Sequence, residues 1–146
     1  MQFLGLLLHL ILLVSNYLTV VGAMLIIQWS RQWQVNDPIV WVNVRRLNLS
    51  WKRDRAYYVG VGARTNAAKR DRYKRVGDWV KSGREIWMPH VCLAENGHIS
   101  FTDGRHRFAW MRDHGVKSIP VTTQPKDARR ISEQFGSRTR QSHLPK

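Results

Sequence analysis

The 146-residue chain carries 24 Lys and Arg against 10 Asp and Glu, a formal charge of +14 with a pI near 11.1. The length excludes two full domains, and the charge selects a polyanionic partner, nucleic acid first and an anionic membrane surface second. Cys92 is the only cysteine and the six histidines show no HxxxH spacing, so a disulfide within the chain and a cysteine-rich zinc site are excluded and a histidine-built structural metal site is disfavoured.

Residues 1–30 open the chain as a hydrophobic segment in which Met1 to Ile27 is almost uninterruptedly apolar, a length suited to a helix that spans a bilayer. The first cation is Arg31 and the cationic bulk follows it. The positive-inside rule then puts the remainder on the cytoplasmic face of a bacterial inner membrane, with Trp29 and Trp33 at the interface. No basic region precedes the apolar run, which argues against a cleaved secretory signal. A second reading stands beside this one: Met24 is the initiator, the residues before it are translated upstream sequence, and the protein is cytoplasmic.

Asp37-Pro38 is a turn signal, and Ile39 to Val44 has the density of apolar and β-branched residues of a buried strand. Arg45 to Arg55 is basic and mixed, with Leu47 and Leu49 alternating. Tyr57 to Gly62 reads as a short strand whose Gly-Val-Gly is either a turn or a nucleotide loop. Residues 45–85 hold 13 Lys and Arg against 4 Asp and Glu. Within them Asn66 caps a helix running to about Ser82, stopped by Gly83. Tyr73, Val76, Trp79 and Val80 recur at helical spacing on its core side, where Tyr73 and Trp79 read as core rather than as base-stacking platforms. The other face carries Lys69, Arg70, Arg72, Lys74, Arg75 and Lys81, a nucleic-acid-binding surface or a merely solvated one.

His90 to Glu95 and His98 to Thr102 flank Asn96-Gly97, the signature of a two-residue hairpin turn. That register pairs 94 with 99 and 92 with 101, so Cys92, Ala94, Ile99 and Phe101 share the core face and Cys92 is a buried small hydrophobe. The hairpin delivers Asp103-Gly104-Arg105-His106-Arg107, after which Phe108 to His114 has the period of a short helix stopped at Gly115. A glycine entering a helix N-terminus offers free N–H groups and the positive end of the dipole to an oxyanion, and Gly104 lets that anion approach the main chain. Arg105 and Arg107 add charge-assisted bonds to phosphate. Asp103 is a metal- or water-positioning carboxylate, or the N-cap of the helix. His106 is a phosphate donor or general acid/base, or simply a satisfied histidine. From Gln124 the chain turns basic: a short helix over Ala128 to Phe135, then no order beyond Gly136, makes 124–146 a basic C-terminal tail.

Asp103 to Ala109, followed by Gly115-Val116-Lys117-Ser118-Ile119-Pro120-Val121, resembles the glycine/His-Arg helix and following strand of the ParB/sulfiredoxin superfamily, over about residues 38–123. The resemblance implies an α+β fold, a small mixed sheet with helices, here preceded by a hydrophobic N-terminal helix, and a nucleotide or nucleic-acid phosphate bound at the turn. Sulfiredoxins carry Gly-Cys-His-Arg there; Arg105 stands at the cysteine position, which argues against reduction of a sulfinic acid. Partition proteins carry Gly-Glu-Arg-Arg; Arg105 and His106 replace Glu and Arg, which argues against a CTP-switched clamp. Within the superfamily the chain is most similar to plasmid fertility inhibition factors of the oncogenic-suppression (Osa) type.

That similarity implies a factor that blocks DNA transfer through type IV secretion, with ATPase and DNase activity. The implied cofactors are ATP and Mg²⁺, and the implied partners are DNA and components of the secretion or coupling machinery. Asp103, His106 and Arg107 are then the catalytic residues, Gly104, Arg105, His106 and Arg107 hold phosphate, and Asp103 is the metal ligand. The alternative is a non-catalytic nucleic-acid-binding or partner-blocking protein. Asp103 is the one acid that the motif itself places at this turn.

Overall fold

The structure, a computed structural model, describes residues 25–32, 36–64 and 66–145. Strand β1 (Trp29–Ser30) is followed by β2 (Ile39–Asn43), helix α1 (Val44–Trp51), a 3₁₀ turn (Val61–Ala63) and α2 (Ala67–Lys81). Then come β3 (Ile86–Trp87), β4 (His90–Leu93), β5 (Ile99–Asp103), α3 (Arg105–Asp113), β6 (Ser118–Thr123) and α4 (Pro125–Phe135). The main sheet has the order β2-β6-β4-β5, antiparallel except for the parallel β4/β6 pair. A second, two-stranded sheet pairs β1 with β3 in parallel. The mixed α+β class implied by the resemblance is the observed one.

The strand expected from Ile39 ends one residue early, because Asn43 caps a helix: its side chain accepts from the Arg46 N–H at 3.0 Å. The basic stretch after it is therefore helical, with Val44, Leu47 and Trp51 buried at i, i+3 and i+7. Trp51 enters an aromatic cluster, its ring 4.5 Å from Phe101 and 5.7 Å from Phe108, and this joins α1 to β5 and α3. Tyr57 to Gly62 forms no strand. Gly62 sits at φ +67° in the 3₁₀ turn and its N–H bonds to Asp113 Oδ2 at 2.9 Å, so the Gly-Val-Gly is a turn tied to the end of α3.

The hairpin forms, one residue out of the expected register. Ala94 to His98 close as a turn with Gly97 at φ +78°, a type I turn with a glycine bulge rather than a two-residue loop. The pairs are Leu93 with Ile99 and Val91 with Phe101, so Val91, Leu93, Ile99 and Phe101 share a face. Cys92 pairs with Ser100 on the other face and is only half-buried, which corrects its assignment to the core.

Beyond Gly136 the expectation of a disordered arm is also corrected. Ser137 N–H bonds to Trp41 O, Gln141 bonds to Lys117 and Ser118, and Leu144 N–H bonds to Leu25 O. The tail covers the outer edge of β2, which would otherwise present open main-chain groups. Leu25 to Ile27, the end of the proposed bilayer span, is extended chain: Ile27 bonds to Ser142 O and Ile86 to Gln28 O, so this segment runs between the tail and β3. Trp29 packs on the core instead of marking an interface. Residues 1–24 and Trp33, which carry the rest of that expectation, lie outside the described residues; among those described, no helix is long and apolar enough to cross a membrane.

Helices α2 and α3 pack unusually close. A Cβ on Gly77, in the middle of α2, would lie 2.6 Å from Nε1 of Trp110, which is itself buried in α3. Asp113, the last residue of α3, joins that helix to the middle of α2: Oδ2 accepts from Tyr73 Oη at 2.9 Å and Oδ1 from Arg112 Nε at 2.8 Å. Burial, and then this bond to Asp113, hold the Tyr73 hydroxyl far above its ordinary pKa, so it stays a donor. Gly77→Ala is expected to destabilise the protein by about 1–3 kcal/mol through overpacking, against a helix-propensity gain of about 1 kcal/mol. Urea denaturation measures the difference.

Candidate functional site

The β5–α3 turn and the face of α2 opposite it enclose a cleft of about 520 Å³. One wall is Phe101 to Arg107; the other is Arg72, Arg75, Val76 and Trp79, with Trp87 and Gln32 closing the end. The sequence places the turn here for a local reason. A β-bulge between His90 and Val91 shifts the ladder so that His90 pairs with Asp103, which re-aims the end of β5. Gly104 then turns the chain at φ +81° into α3. A Cβ there would come within 2.7 Å of Pro89 Cα, so both the conformation and the space require glycine.

Gly104, not Asp103, is the N-cap residue, and it supplies no side-chain cap. The first helical bond is Phe108 N–H to Gly104 O at 2.9 Å, leaving the amides of Arg105, His106 and Arg107 at the open end of the helix, along the cleft. Asp103 Oδ2 is ion-paired with Nη2 of Arg107 one turn on. Arg107 is 9% exposed and its Nη1 donates to Trp87 O at 2.9 Å. Arg107 thus pins the turn to β3: it lines the cleft but spends two of its donors inside the protein. Arg105 is half-buried, stacks over the exposed Tyr57 ring at 5.2 Å, and stands with Arg72 and Arg75 as the cleft's cations.

Of the six cations expected on the helix face, Arg72 and Arg75 line the cleft, and Lys81, in the last turn of α2, is exposed away from it. Lys69 lies within electrostatic reach of His106, and Arg70 and Lys74 are exposed outside the cleft wall. Trp79 leaves the core side to which the sequence assigned it and is 36% exposed at the cleft, while Val76, Gly77 and Val80 bury. Trp87, which the sequence left without a role, is 49% exposed at the same cleft. Trp87 is the second residue of β3, where the alternation of the strand gives the buried position to Ile86 and leaves the indole outside.

His106 sits between these cations. Burial first, then Arg105, Arg72, Lys69 and Arg107, lower its pKa from 6.5 to about 4, so the imidazole is neutral near pH 7. Its Nε2 faces Arg105 Nε at 3.5 Å and its buried Nδ1 has no partner.

For a metal, the donor set is poor. Asp103 is the one carboxylate among the residues lining the cleft, and one of its oxygens is committed to Arg107. Among the described residues no three His, Cys, Asp or Glu side chains converge. These residues do not fit a protein-built Mg²⁺ centre; they fit a ligand that brings phosphate oxygens.

Fold and site together define a small α+β protein with a cationic, aromatic-flanked cleft at a helix N-terminus. The chain belongs to the plasmid fertility inhibition factor family, whose model matches residues 39–136, a span that contains every residue of the cleft except Gln32. The crystal structure of the Oncogenic Suppression Activity Protein, a plasmid fertility inhibition factor, in its gold(I) cyanide derivative, is similar at 24% identity with a TM-score of 0.49. The match covers 67% of this chain and 56% of that one. No curated protein matches.

Gly104→Ala is expected to lose at least about 1–2 kcal/mol from the left-handed backbone alone, with the Pro89 contact adding to it; thermal unfolding reads the loss. The His106 ring resonances are expected to titrate at about pH 4. Because this lies below the ordinary 6.5, the stability contributed by neutral His106 is complete above about pH 6.5 and is lost as pH falls through about 4. In Arg105→Ala the midpoint moves part of the way back up, and an NMR pH titration of the two proteins checks both statements.

Proposed function

We propose that this fertility inhibition factor takes hold of DNA in the α2–α3 cleft and, from the cytoplasmic side, blocks DNA transfer through a type IV secretion apparatus. The observation that supports the reading is the convergence of Arg72, Arg75 and Arg105 on the unpaired amides of the α3 N-terminus, in a chain of charge +14. In this reading the three guanidiniums meet non-bridging phosphate oxygens and the α3 amides receive one phosphate of the backbone. Arg107 and Asp103 hold the turn in shape. A component of the secretion or coupling machinery is the second partner.

A catalytic reading, cleavage of a phosphodiester or of the ATP phosphoanhydride, is favoured by His106. Its imidazole is neutral, its Nε2 meets only the Arg105 guanidinium at 3.5 Å, and it stands among cations that would stabilise charge on a phosphoryl group. Water would attack phosphorus and pass its proton to His106 Nε2 as the P–O bond to the leaving oxygen breaks; ADP would leave as the anion, or a sugar oxygen would take the proton back from His106, while Arg105 and Arg72 bear the oxyanion charge. ATP fits this cleft through its phosphates. Mg²⁺ would come with the nucleotide and neutralise phosphate charge, since the lining supplies no ligand set of its own.

In fluorescence anisotropy with labelled DNA, the Arg72→Ala/Arg75→Ala protein is expected to bind more weakly at every sequence. The slope of log affinity against log salt should fall by about 0.7–1 for each phosphate that is no longer neutralised. In matings, the same variant should restore transfer. His106→Gln separates the two readings: loss of plasmid cleavage or ATP turnover with DNA binding retained supports the enzyme, and no turnover in the unmodified protein leaves the binder. Affinity and salt slope unchanged by the double substitution would sink the proposal.

A further inference from the structure

Most tryptophans of the described chain are buried or half-buried; Trp79 and Trp87 are not, and both line the cationic cleft. Their exposure is not explained by the fold. Trp79 belongs to a helix whose buried side is already filled by Val76, Gly77 and Val80. Trp87 contributes to the fold through its main chain, whose carbonyl receives Arg107, while the indole itself stays in the cleft. Two large flat apolar rings in water cost free energy unless something covers them.

The charge beside them says what that cover is. Arg72 and Arg75 stand on the same helix as Trp79, one to two turns earlier, and Arg105 faces them across the cleft. Guanidiniums next to exposed aromatic rings match the alternation of phosphate and base along an unpaired strand. A duplex keeps its bases stacked on each other and offers the rings nothing. A lone nucleotide would leave unused the positive charge that continues outside the cleft on Arg70 and Lys74.

We infer that the cleft selects single-stranded DNA, with Trp79 and Trp87 as the specificity-determining residues that stack unpaired bases. The inference rests on the proposed DNA-binding role of the same cleft and adds which form of DNA it takes.

The test uses the full chain and three labelled probes of one length: oligothymidylate, the matching thymidylate–adenylate duplex, and a strand with the same phosphates but abasic sugars. Anisotropy is expected to give oligothymidylate the highest affinity per phosphate. Trp79→Ala and Trp87→Ala should each weaken it about tenfold, and should leave the duplex and the abasic strand unchanged. Trp79→Phe and Trp87→Phe should keep most of the affinity. Circular dichroism confirms that each variant is folded, and both positions are exposed enough to tolerate the change. Equal losses on all three probes, or none, overturn the inference, as does duplex bound as tightly as the single strand. If binding depends on Arg72 and Arg75 but not on the tryptophans, this inference alone fails. If the arginine variants are also without effect, the DNA-binding reading fails with it.

Discussion

The close approach of α2 to α3 is the constraint on which the site depends. Glycine in the middle of a helix costs about 1 kcal/mol relative to alanine, yet Gly77 stands where any larger residue would meet the Trp110 indole. The short distance between the helices brings Arg72 and Arg75 opposite Arg105, and it is maintained at the other end by Asp113, which receives Tyr73, Arg112 and the Gly62 amide together. Arg112 extends the tie through Nη1 to Asn48, Tyr58 and Val59 O. A like-charged cleft would otherwise relax by moving its walls apart. The neutral packing and the buried polar network beneath oppose that, and so the repulsion is kept.

Membership of the plasmid fertility inhibition factor family sets the biological frame, and the geometry adds a division of labour inside the motif. Arg107 and Asp103 neutralise each other and, through Trp87 O, fasten the turn to the second sheet. Arg105 and His106 are the members left open to the cleft. In one short stretch, neighbouring residues thus divide between holding the turn and lining the cleft, with Gly104 as the hinge between strand and helix.

Much of this was legible in sequence because local signals were strong. Asn66 capping α2, the Gly115 stop of α3 and the strand from Ile39 all depend on neighbours a few residues apart, and each is where the pattern put it. Helix α1 carried its signal too, in Asn43 as cap and the spacing of Val44, Leu47 and Trp51, but its many cations and the alternation of Leu47 with Leu49 obscured it. The hairpin turn was recognised and its length was not, since Asn-Gly serves both two-residue and bulged loops, and that one residue moved Cys92 across the sheet. Order in the tail was illegible for a different reason: its partners, Leu25, Ile27 and Trp41, lie about a hundred residues away in sequence. At the site, composition and the glycine turn located the open end of α3 and the cations around it. The Arg107 bond to Trp87 O and the exposure of Trp79 came only from tertiary packing, whereas the Asp103–Arg107 pair is a local i, i+4 contact.

Protonation of His106 is coupled to the charge held around it in the cleft. Four cations and burial hold the imidazole uncharged, so negative charge delivered into the cleft would relieve the electrostatic part of that penalty and raise the ring's basicity. Below neutrality, arrival of a polyanion and capture of a hydrogen ion become one thermodynamic event, each strengthening the other. In the proposed binding role, acidification would add one more positive group to the cleft, and alkaline conditions would leave the permanently charged guanidiniums and the helix end.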